Sequence, residues 1–245
     1  MDKIILSQDA NAFYAGAGVQ LGNVYSTIAA GGRAVPAGTC PSVGLTGHTL
    51  GGGFGLLSRP LGLACDSLLS VQMVNADGKL ITCSENENSD LYWALRGGGA
   101  GSFGIVTQLT MKAHRVQNVL TYRLVWKVPS ETAARLMKAW QQMSPSWPKE
   151  IATLMKVSNA GNGLYNVRCI GQSVGSQDQL TRELSRLTAI ENTEITIKAR
   201  DFMESVRHFG GAPGLVPVTM KGKSDYLKKV MSDEGLTQFL FKIPS

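Results

Sequence analysis

A glycine-rich run from Pro36 to Gly55 holds the residue types in this sequence that are best suited to chemistry. It reads Pro-Ala-Gly-Thr-Cys-Pro-Ser-Val-Gly-Leu-Thr-Gly-His-Thr-Leu-Gly-Gly-Gly-Phe-Gly. Consecutive backbone N–H groups in such a loop form a concavity that suits a pyrophosphate, because no side chains block the approach. Cys40 and His48 add a thiol and a polar ring to this loop. The run therefore predicts a binding site for a bulky ligand.

A second glycine window lies between residues 97 and 104. It holds five glycines, and residues 38–55 hold seven, so the two windows contain twelve of the 28 glycines in the chain. A flexible linker would pair glycine with serine over a longer stretch, whereas the glycines of the first window alternate with Val, Leu, Phe and His. We therefore interpret both windows as parts of a binding site.

Other motifs point to chemistry less well. Gly16–Gly22 has the spacing GxGxxxG, one residue too long for the common dinucleotide fingerprint, so a nicotinamide-dependent reductase is a weak alternative. Ala100–Gly104 resembles a nucleophile elbow, but a strand-like segment follows it where a helix is required. The three histidines and the absence of a CxxC pair predict no metal site.

The bulk composition narrows the class of protein. With 245 residues and 43% hydrophobic residues, the chain is long enough for one large domain or two small ones. The net charge of +6 comes from scattered Lys and Arg residues, so we predict a solvated basic surface and no nucleic-acid partner. No run of eighteen apolar residues and no signal peptide is visible. We therefore expect a soluble protein with no membrane partner, and the cytoplasm is favoured.

Residue patterns predict an α+β fold. Segments 68–75 and 79–83 flank a hairpin turn at Ala76-Asp77-Gly78, and 89–96 is predicted to be helical. Further strands are predicted at 103–113, 119–128, 150–157, 164–172 and 193–199. In the strand 119–128, Tyr122, Leu124 and Trp126 alternate with Thr121, Arg123 and Val125.

Ser130 and Ser176 are each predicted to cap a helix that has apolar residues on one face. Two successive hairpin and helix units indicate an antiparallel sheet covered by helices on one side. A change of pattern near His114 to Asn118 divides the chain into domains at 1–117 and 118–245.

The two glycine windows together resemble a known flavoprotein family. Pro36–Gly55 and Asp90–Thr107 look like the flavin-binding signature of the berberine bridge enzyme-like branch of the vanillyl-alcohol oxidase superfamily. Two long motifs in the same order are more specific than a single glycine triplet. The resemblance is strongest over 12–113 and continues more weakly to 221–226. It implies part of a PCMH-type FAD-binding domain over 1–117, followed by a substrate-binding α+β domain over 118–245.

The resemblance implies an FAD-dependent oxidoreductase of the oxidase type. Hydride would pass from a C–H bond of a small alcohol, sugar or alkaloid-like substrate to flavin N5, with molecular oxygen as the expected acceptor. Cys40 would bond through sulfur to the isoalloxazine ring, and His48 matches a histidine near the ribityl chain. The residues that the resemblance places at the cofactor are Gly38, Thr39, Cys40, Pro41, Ser42, Val43, Gly44, Gly47, His48, Gly51, Gly52, Gly53, Gly55, Gly104, Ile105 and Val106.

Some parts of the family pattern have no match in this sequence. Full-length members have an Arg-Ser-Gly-Gly-His-like loop, whose histidine makes a second covalent flavin bond, and a closing segment rich in Tyr and Asn. We therefore expect half of a flavin site, an incomplete substrate site, and no identifiable catalytic base. The alternative hypothesis is a shortened, non-catalytic remnant that acts as a structural or binding module. The oligomeric state is left open.

Overall fold

A computed structural model describes residues 1–210 and 226–243 of the chain. The strands are β1 (Ile4–Leu6), β2 (Ala12–Gly16), β3 (Arg33–Ala34), β4 (Leu68–Val74), β5 (Leu80–Ser84), β6 (Ile105–Lys112), β7 (His114–Arg115), β8 (Asn118–Pro129), β9 (Ile151–Gly161), β10 (Leu164–Ser173) and β11 (Thr196–Asp201). The helices are α1 (Leu21–Ala29), α2 (Leu45–Leu50), α3 (Ser58–Leu61), α4 (Ser89–Leu95), α5 (Ser130–Met143), α6 (Gln177–Thr188), α7 (Phe202–Gly210) and α8 (Asp233–Phe241). Strands and helices in these proportions confirm the predicted α+β class.

The chain divides into two compact units. The first consists of Met1–Val119 and Arg200–Gly211, and the second of Leu120–Ala199 and Ala212–Ser245. The boundary near residue 117 and the roles assigned to the two parts stay predictions. The weakly matching segment 221–226 lies, apart from Tyr226, outside the described residues.

The first unit is built on a five-stranded sheet with the order β1-β2-β6-β4-β5. All of its strand pairs are antiparallel, which is incompatible with the parallel strand–helix–strand unit of a dinucleotide fold. Gly16 and Gly18, the first two glycines of the GxGxxxG motif, instead approach Met1, and Gly18 N donates to Met1 O at 2.7 Å. These glycines therefore allow close backbone packing.

The second unit has a four-stranded sheet with the order β11-β8-β10-β9 and helices on one face. Tyr122, Leu124 and Trp126 of β8 are buried toward the helices, while Arg123 and Lys127 between and after them are exposed. This confirms the predicted alternation, which follows from the two-residue period of a strand.

Two helices of the second unit differ from the sequence prediction. The predicted cap Ser130 is the first helical residue of α5, and Pro129 occupies the cap position because β8 continues up to it. Helix α8 was not predicted, yet its Leu236 and Leu240 are buried in the core of the unit. Among the residues that the structure describes, no helix is both long and apolar enough to cross a bilayer.

Candidate functional site

The loop that carries Cys40 is held against the start of α1. Leu21 N donates to Val43 O at 2.9 Å, and Gly22 N donates to Pro41 O at 2.9 Å. A Cβ atom on Gly22 would lie 3.0 Å from Pro41 Cβ, so only glycine gives this close approach without displacing the proline. The glycine-rich run is therefore anchored at its first half, although much of its surface is open to solvent.

Two side chains bind both backbone groups of Gly38. The Tyr25 hydroxyl donates to Gly38 O at 2.6 Å, and Gly38 N donates to His48 Nε2 at 3.0 Å. Burial, with a smaller contribution from Cys40, raises the pKa of Tyr25, and burial lowers the pKa of His48. Both side chains are therefore neutral at physiological pH, and Nε2 of His48 is the unprotonated nitrogen.

The lowered pKa of His48 predicts a loss of stability in acid. A histidine whose pKa is depressed by folding stabilises the protein fully above its unfolded value of about 6.5, and the stabilisation is lost as the pH falls below that value. We expect denaturant unfolding to show a smaller loss of stability between about pH 7.5 and about pH 5 in His48→Gln than in the parent chain. Burial also lowers the pKa of His114. His114 is present in both the parent chain and His48→Gln, so it should cause an equal loss of stability in the two proteins. Equal losses in both proteins would refute the assignment to His48.

Cys40 differs from the other cysteines in its exposure. Cys65, Cys83 and Cys169 are buried, and burial raises the pKa of each of these thiols. Cys40 is exposed and forms no disulfide. Of the four cysteines, only Cys40 therefore has a thiol that a ligand in solution can reach.

Helix α7, which lies in the second sequence segment of the first unit, packs against the Cys40 loop. A Cβ atom on Gly210 would lie 3.0 Å from both Thr39 O and Pro41 Cδ. At the other end of the helix, Phe202 packs edge-on against Tyr25, with ring centroids 5.6 Å apart. These contacts join the loop, α1 and α7 into one packed group.

The glycines of the run fall into two physical kinds. A Cβ atom on Gly53 would lie 2.8 Å from His48 Nε2 and 2.9 Å from Ala64 Cβ, and one on Gly55 would collide with the carbonyl oxygen of Ala37. In contrast, no heavy atom lies within 4 Å of the position that a Cβ would take on Gly44, Gly47 or Gly52. The first kind is required by packing. Of the second kind, Gly44 and Gly47 are exposed and leave open backbone surface, whereas Gly52 is buried. That open surface fits an extended, phosphorylated cofactor lying on the backbone.

A buried hydroxyl lies within the same run. Thr46 Oγ1 is buried and has no hydrogen-bond partner among the described residues. An unsatisfied buried hydroxyl costs about 1–3 kcal/mol, so this part of the run lacks a polar partner. Elsewhere in residues 1–210 and 226–243, no three His, Cys, Asp or Glu side chains cluster as a metal site requires.

The second glycine window lies beside the first. Gly99 N donates to Leu50 O at 2.9 Å, and Cys65 N donates to Gly52 O at 2.9 Å. Arg96, just before the second window, binds the segment that follows the first: its Nε donates to Cys65 O at 3.1 Å, and its guanidinium pairs with Asp66 at 3.2 Å. The structure thus brings together the two windows that the sequence singled out.

The remaining predicted site residues lie at the start of β6. Ile105 is opposite Val74 and Val106 is opposite Met73 on β4. Gly104 has a φ of +143°, and a Cβ there would lie 2.5 Å from Val74 O, so the chain requires glycine at this turn into the strand. Ile105 is 68% exposed, whereas Val106 is buried.

Sequence reasoning missed three supporting residues. Tyr25 follows Leu21 by four residues on the buried face of α1, so its spacing indicates only a core position. Thr46 lies inside the quoted run and was a detectable candidate, because it is a hydroxyl residue among glycines. The role of Gly210 depends on a contact across about 170 positions and has no local sequence signal.

A further variant separates the open glycines from the packed ones. Gly47→Ala adds a methyl group to α2 where there is free space, so we expect unfolding stability to be kept or raised by up to about 1 kcal/mol. The same methyl group would stand on the surface proposed for the cofactor, and FAD affinity is expected to fall at least about tenfold. Denaturant unfolding and FAD titration check the two halves of this prediction. Unchanged FAD affinity would contradict it.

Comparison with known proteins finds similar sequences over nearly the whole chain. Residues 1–84 match the FAD binding domain family. The chain is 36% identical to the FAD-linked oxidoreductase YgaK of Bacillus subtilis, over 97% of this chain and 53% of that protein. It is 31% identical to berberine bridge enzyme-like 24 of Arabidopsis thaliana, over 96% of this chain and 47% of that protein. The chain thus spans about half the length of the curated relatives it matches.

Solved structures give the same result. A chitooligosaccharide oxidase matches with a TM-score of 0.79 and 32% identity, over 88% of this chain and 45% of that one. Glucooligosaccharide oxidase from Acremonium strictum matches with a TM-score of 0.81 and 25% identity, over 98% of this chain and 52% of that one. FAD is the cofactor of the matched domain family. The chain is therefore related, over nearly all of its length, to the berberine bridge enzyme-like FAD-linked oxidoreductases.

Proposed function

We propose that this chain contributes the cysteine-bearing part of the flavin site of an FAD-dependent oxidase. The observation that carries the proposal is an exposed thiol, Cys40, at one end of a run whose exposed Gly44 and Gly47 leave open backbone surface. The family match over residues 1–84 covers this whole run and supports FAD as the ligand. The part of the chain before residue 118 would hold the cofactor, and the part after it would hold the substrate.

The cofactor contacts are proposed at the residues that the family resemblance indicated. They are the 38–44 loop, Gly47, His48, the Gly51–Gly53 turn and Gly55, together with Gly104, Ile105 and Val106. In this arrangement Tyr25 and His48 hold the backbone of Gly38 by hydrogen bonds of 2.6 Å and 3.0 Å. Because Cys40 follows two residues later, these bonds would restrict the position of its backbone. The exposed side chain of Ile105 would offer an apolar contact beside the ligand.

Cys40 is proposed to attach the flavin covalently. The glucooligosaccharide oxidase from Acremonium strictum has a 6-S-cysteinyl, 8α-N1-histidyl FAD. By analogy, Cys40 would form the cysteinyl bond here, and no residue of this chain is proposed for the histidyl bond. Forming the thioether replaces a ring C–H and the thiol S–H by a C–S bond. The two electrons and two protons released would pass, by way of the flavin, to oxygen.

The proposed reaction is the oxidation of a small substrate, with an oligosaccharide favoured over an alcohol or an alkaloid-like compound. Bound FAD supplies the hydride acceptor at N5 and the route by which electrons reach oxygen. Two relatives support a carbohydrate, because their names are chitooligosaccharide oxidase and xylooligosaccharide oxidase. The protein's own contribution is to hold the cofactor and to orient the C–H bond toward it.

The test is to look for bound flavin and then for turnover. Purified protein is incubated with FAD, precipitated in acid, and the pellet is examined for flavin absorbance that stays with the polypeptide. In parallel, oxygen consumption is measured with neutral oligosaccharides. Flavin in the pellet with substrate-dependent oxygen uptake is the expected result. Protein that binds no FAD under these conditions would overturn the proposal.

A further inference from the structure

The open face of the sheet in the second unit carries a group of basic side chains. The group consists of Arg123 and Lys127 on β8, Lys156 on β9 and Arg168 on β10, and all four are exposed. The residues that alternate with them pack toward the helices on the other face, as Trp126 and Val167 show. These four residues, called here the basic patch, therefore share one face of the sheet.

The strand register places the four basic residues close together. Arg168 lies directly opposite Lys156 on one neighbouring strand and opposite Val125 on the other. Arg123 and Lys127 flank Val125 at two residues on either side, so both are diagonal neighbours of Arg168. Strand spacing and rise give the patch a size of about 10 Å by about 14 Å. That size suits a ligand made of a few linked units, such as a short oligosaccharide.

On β8, β9 and β10, no acidic side chain shares this part of the face. The neighbours on β8, β9 and β10 that share it are uncharged: Thr121, Val125, Ala152, Leu154, Ser158, Asn166, Ile170 and Gln172. Among the described residues, none of the four basic side chains forms an ion pair. Like charges directly opposite each other on neighbouring strands destabilise a sheet, and Lys156 and Arg168 are in that arrangement. An anionic ligand would remove this repulsion.

The chemistry of the patch favours carboxylates on a carbohydrate. The guanidinium groups of Arg123 and Arg168 can each bind a carboxylate through two parallel hydrogen bonds. Asn166 and Ser158 add an amide and a hydroxyl, which suit sugar hydroxyls. Single-stranded nucleic acid would need aromatic side chains for stacking, and the aromatic residues of β8, Tyr122 and Trp126, are buried on the opposite face.

We infer that the basic patch binds an acidic oligosaccharide, with carboxylates on its sugars, as the substrate class of this protein. The inference rests on the proposed function, in which the second unit holds an oligosaccharide substrate. It deepens that proposal, because a neutral oligosaccharide would leave the opposed Lys156 and Arg168 unbalanced, whereas an acidic one neutralises them. Binding through these charges weakens as salt rises, since added ions screen exposed charges.

The test is calorimetric binding of trigalacturonic acid, with a neutral trisaccharide as the matched probe. The full chain is expected to bind the acidic trimer more tightly than the neutral one, and the preference is expected to shrink in high salt. Arg168→Gln should lower the affinity for the acidic trimer about tenfold or more, and Lys156→Gln/Arg168→Gln should lower it further. Arg182→Gln is the control. Arg182 is exposed on α6, so this substitution removes one positive charge outside the patch, as Arg168→Gln does within it.

Several outcomes would overturn the inference. These are equal affinity for the two trimers, an equal loss in Arg182→Gln, or tighter binding of a short single-stranded oligonucleotide than of trigalacturonic acid. FAD binding and oxidation of neutral oligosaccharides are measured on the same samples. A chain that holds FAD and oxidises neutral sugars but does not prefer the acidic trimer fails this inference alone. A chain that binds no FAD fails the proposed function, and the trimer comparison still decides the basic patch.

Discussion

Replacing Cys40 with alanine is expected to abolish any flavin that remains with the polypeptide after acid denaturation. The other three thiols are buried, so none of them can take over the bond to the ring. Folding should be unaffected, within about 0.5 kcal/mol, because an exposed side chain contributes little to packing. The measurement is flavin absorbance in the acid pellet, combined with denaturant unfolding of the same variant.

The matched control for this variant is Cys65→Ala. It removes a thiol from the same unit, but Cys65 is only 5% exposed, so its thiol is buried. We expect the control to keep its covalent flavin and to lose stability, typically by about 1–3 kcal/mol, because a buried group has been deleted. Covalent flavin that survives in Cys40→Ala would show that another residue makes the bond.

Gly55→Ala is expected to destabilise the first unit. A Cβ atom at this position would collide with the carbonyl oxygen of Ala37, which is a backbone atom and cannot rotate away. The neighbouring contacts leave little freedom to shift, since Gly55 N donates to Ser58 Oγ at 2.9 Å. Overpacking of this kind costs about 1–3 kcal/mol and occasionally more. The midpoint of denaturant unfolding should fall accordingly.

Gly47→Ala is the natural comparison for this second variant. Both changes add one methyl group to the same run, but no heavy atom lies near the new Cβ at residue 47. The expected pattern is therefore opposite in the two variants: Gly55→Ala weakens folding, and Gly47→Ala weakens FAD binding in a stable protein. An unchanged unfolding midpoint in Gly55→Ala would mean that the loop can move to accept the methyl group.

Local patterns allowed much of the fold to be predicted from the sequence. The hairpin of β4 and β5 was predictable from its three-residue turn, and the buried face of β8 was predictable from the two-residue alternation of its side chains. The Ser176 cap of α6 is confirmed, because its side chain accepts a hydrogen bond from Gln179 N at 3.3 Å. Each of these features is set by residues that are close together in the chain, which is why their sequence signals are readable.

Contacts between distant segments could not be predicted in the same way. The hydroxyl of Tyr25 reaches Gly38, and Gly210 contacts the Cys40 loop, but neither pair has a spacing that marks it. Helix α2 was missed because glycine and threonine are poor helix formers, although Leu45, Thr49 and Leu50 bury one side of it. Whether the predicted cofactor residues contact FAD stays a prediction, which the variants above are designed to test.

The interleaving of the two units has a consequence for synthesis of the protein on the ribosome. The first unit includes α7, which follows residues 120–199 of the second unit in the chain, and the core of the second unit takes in Leu236 and Leu240 of α8. At about 5–20 residues per second, α7 emerges several seconds or more after residues 1–119. During that delay Tyr25 has no Phe202 to pack against, and the Cys40 loop lacks the support of Gly210. We therefore expect the nascent first unit to lack these two contacts until α7 has been synthesised.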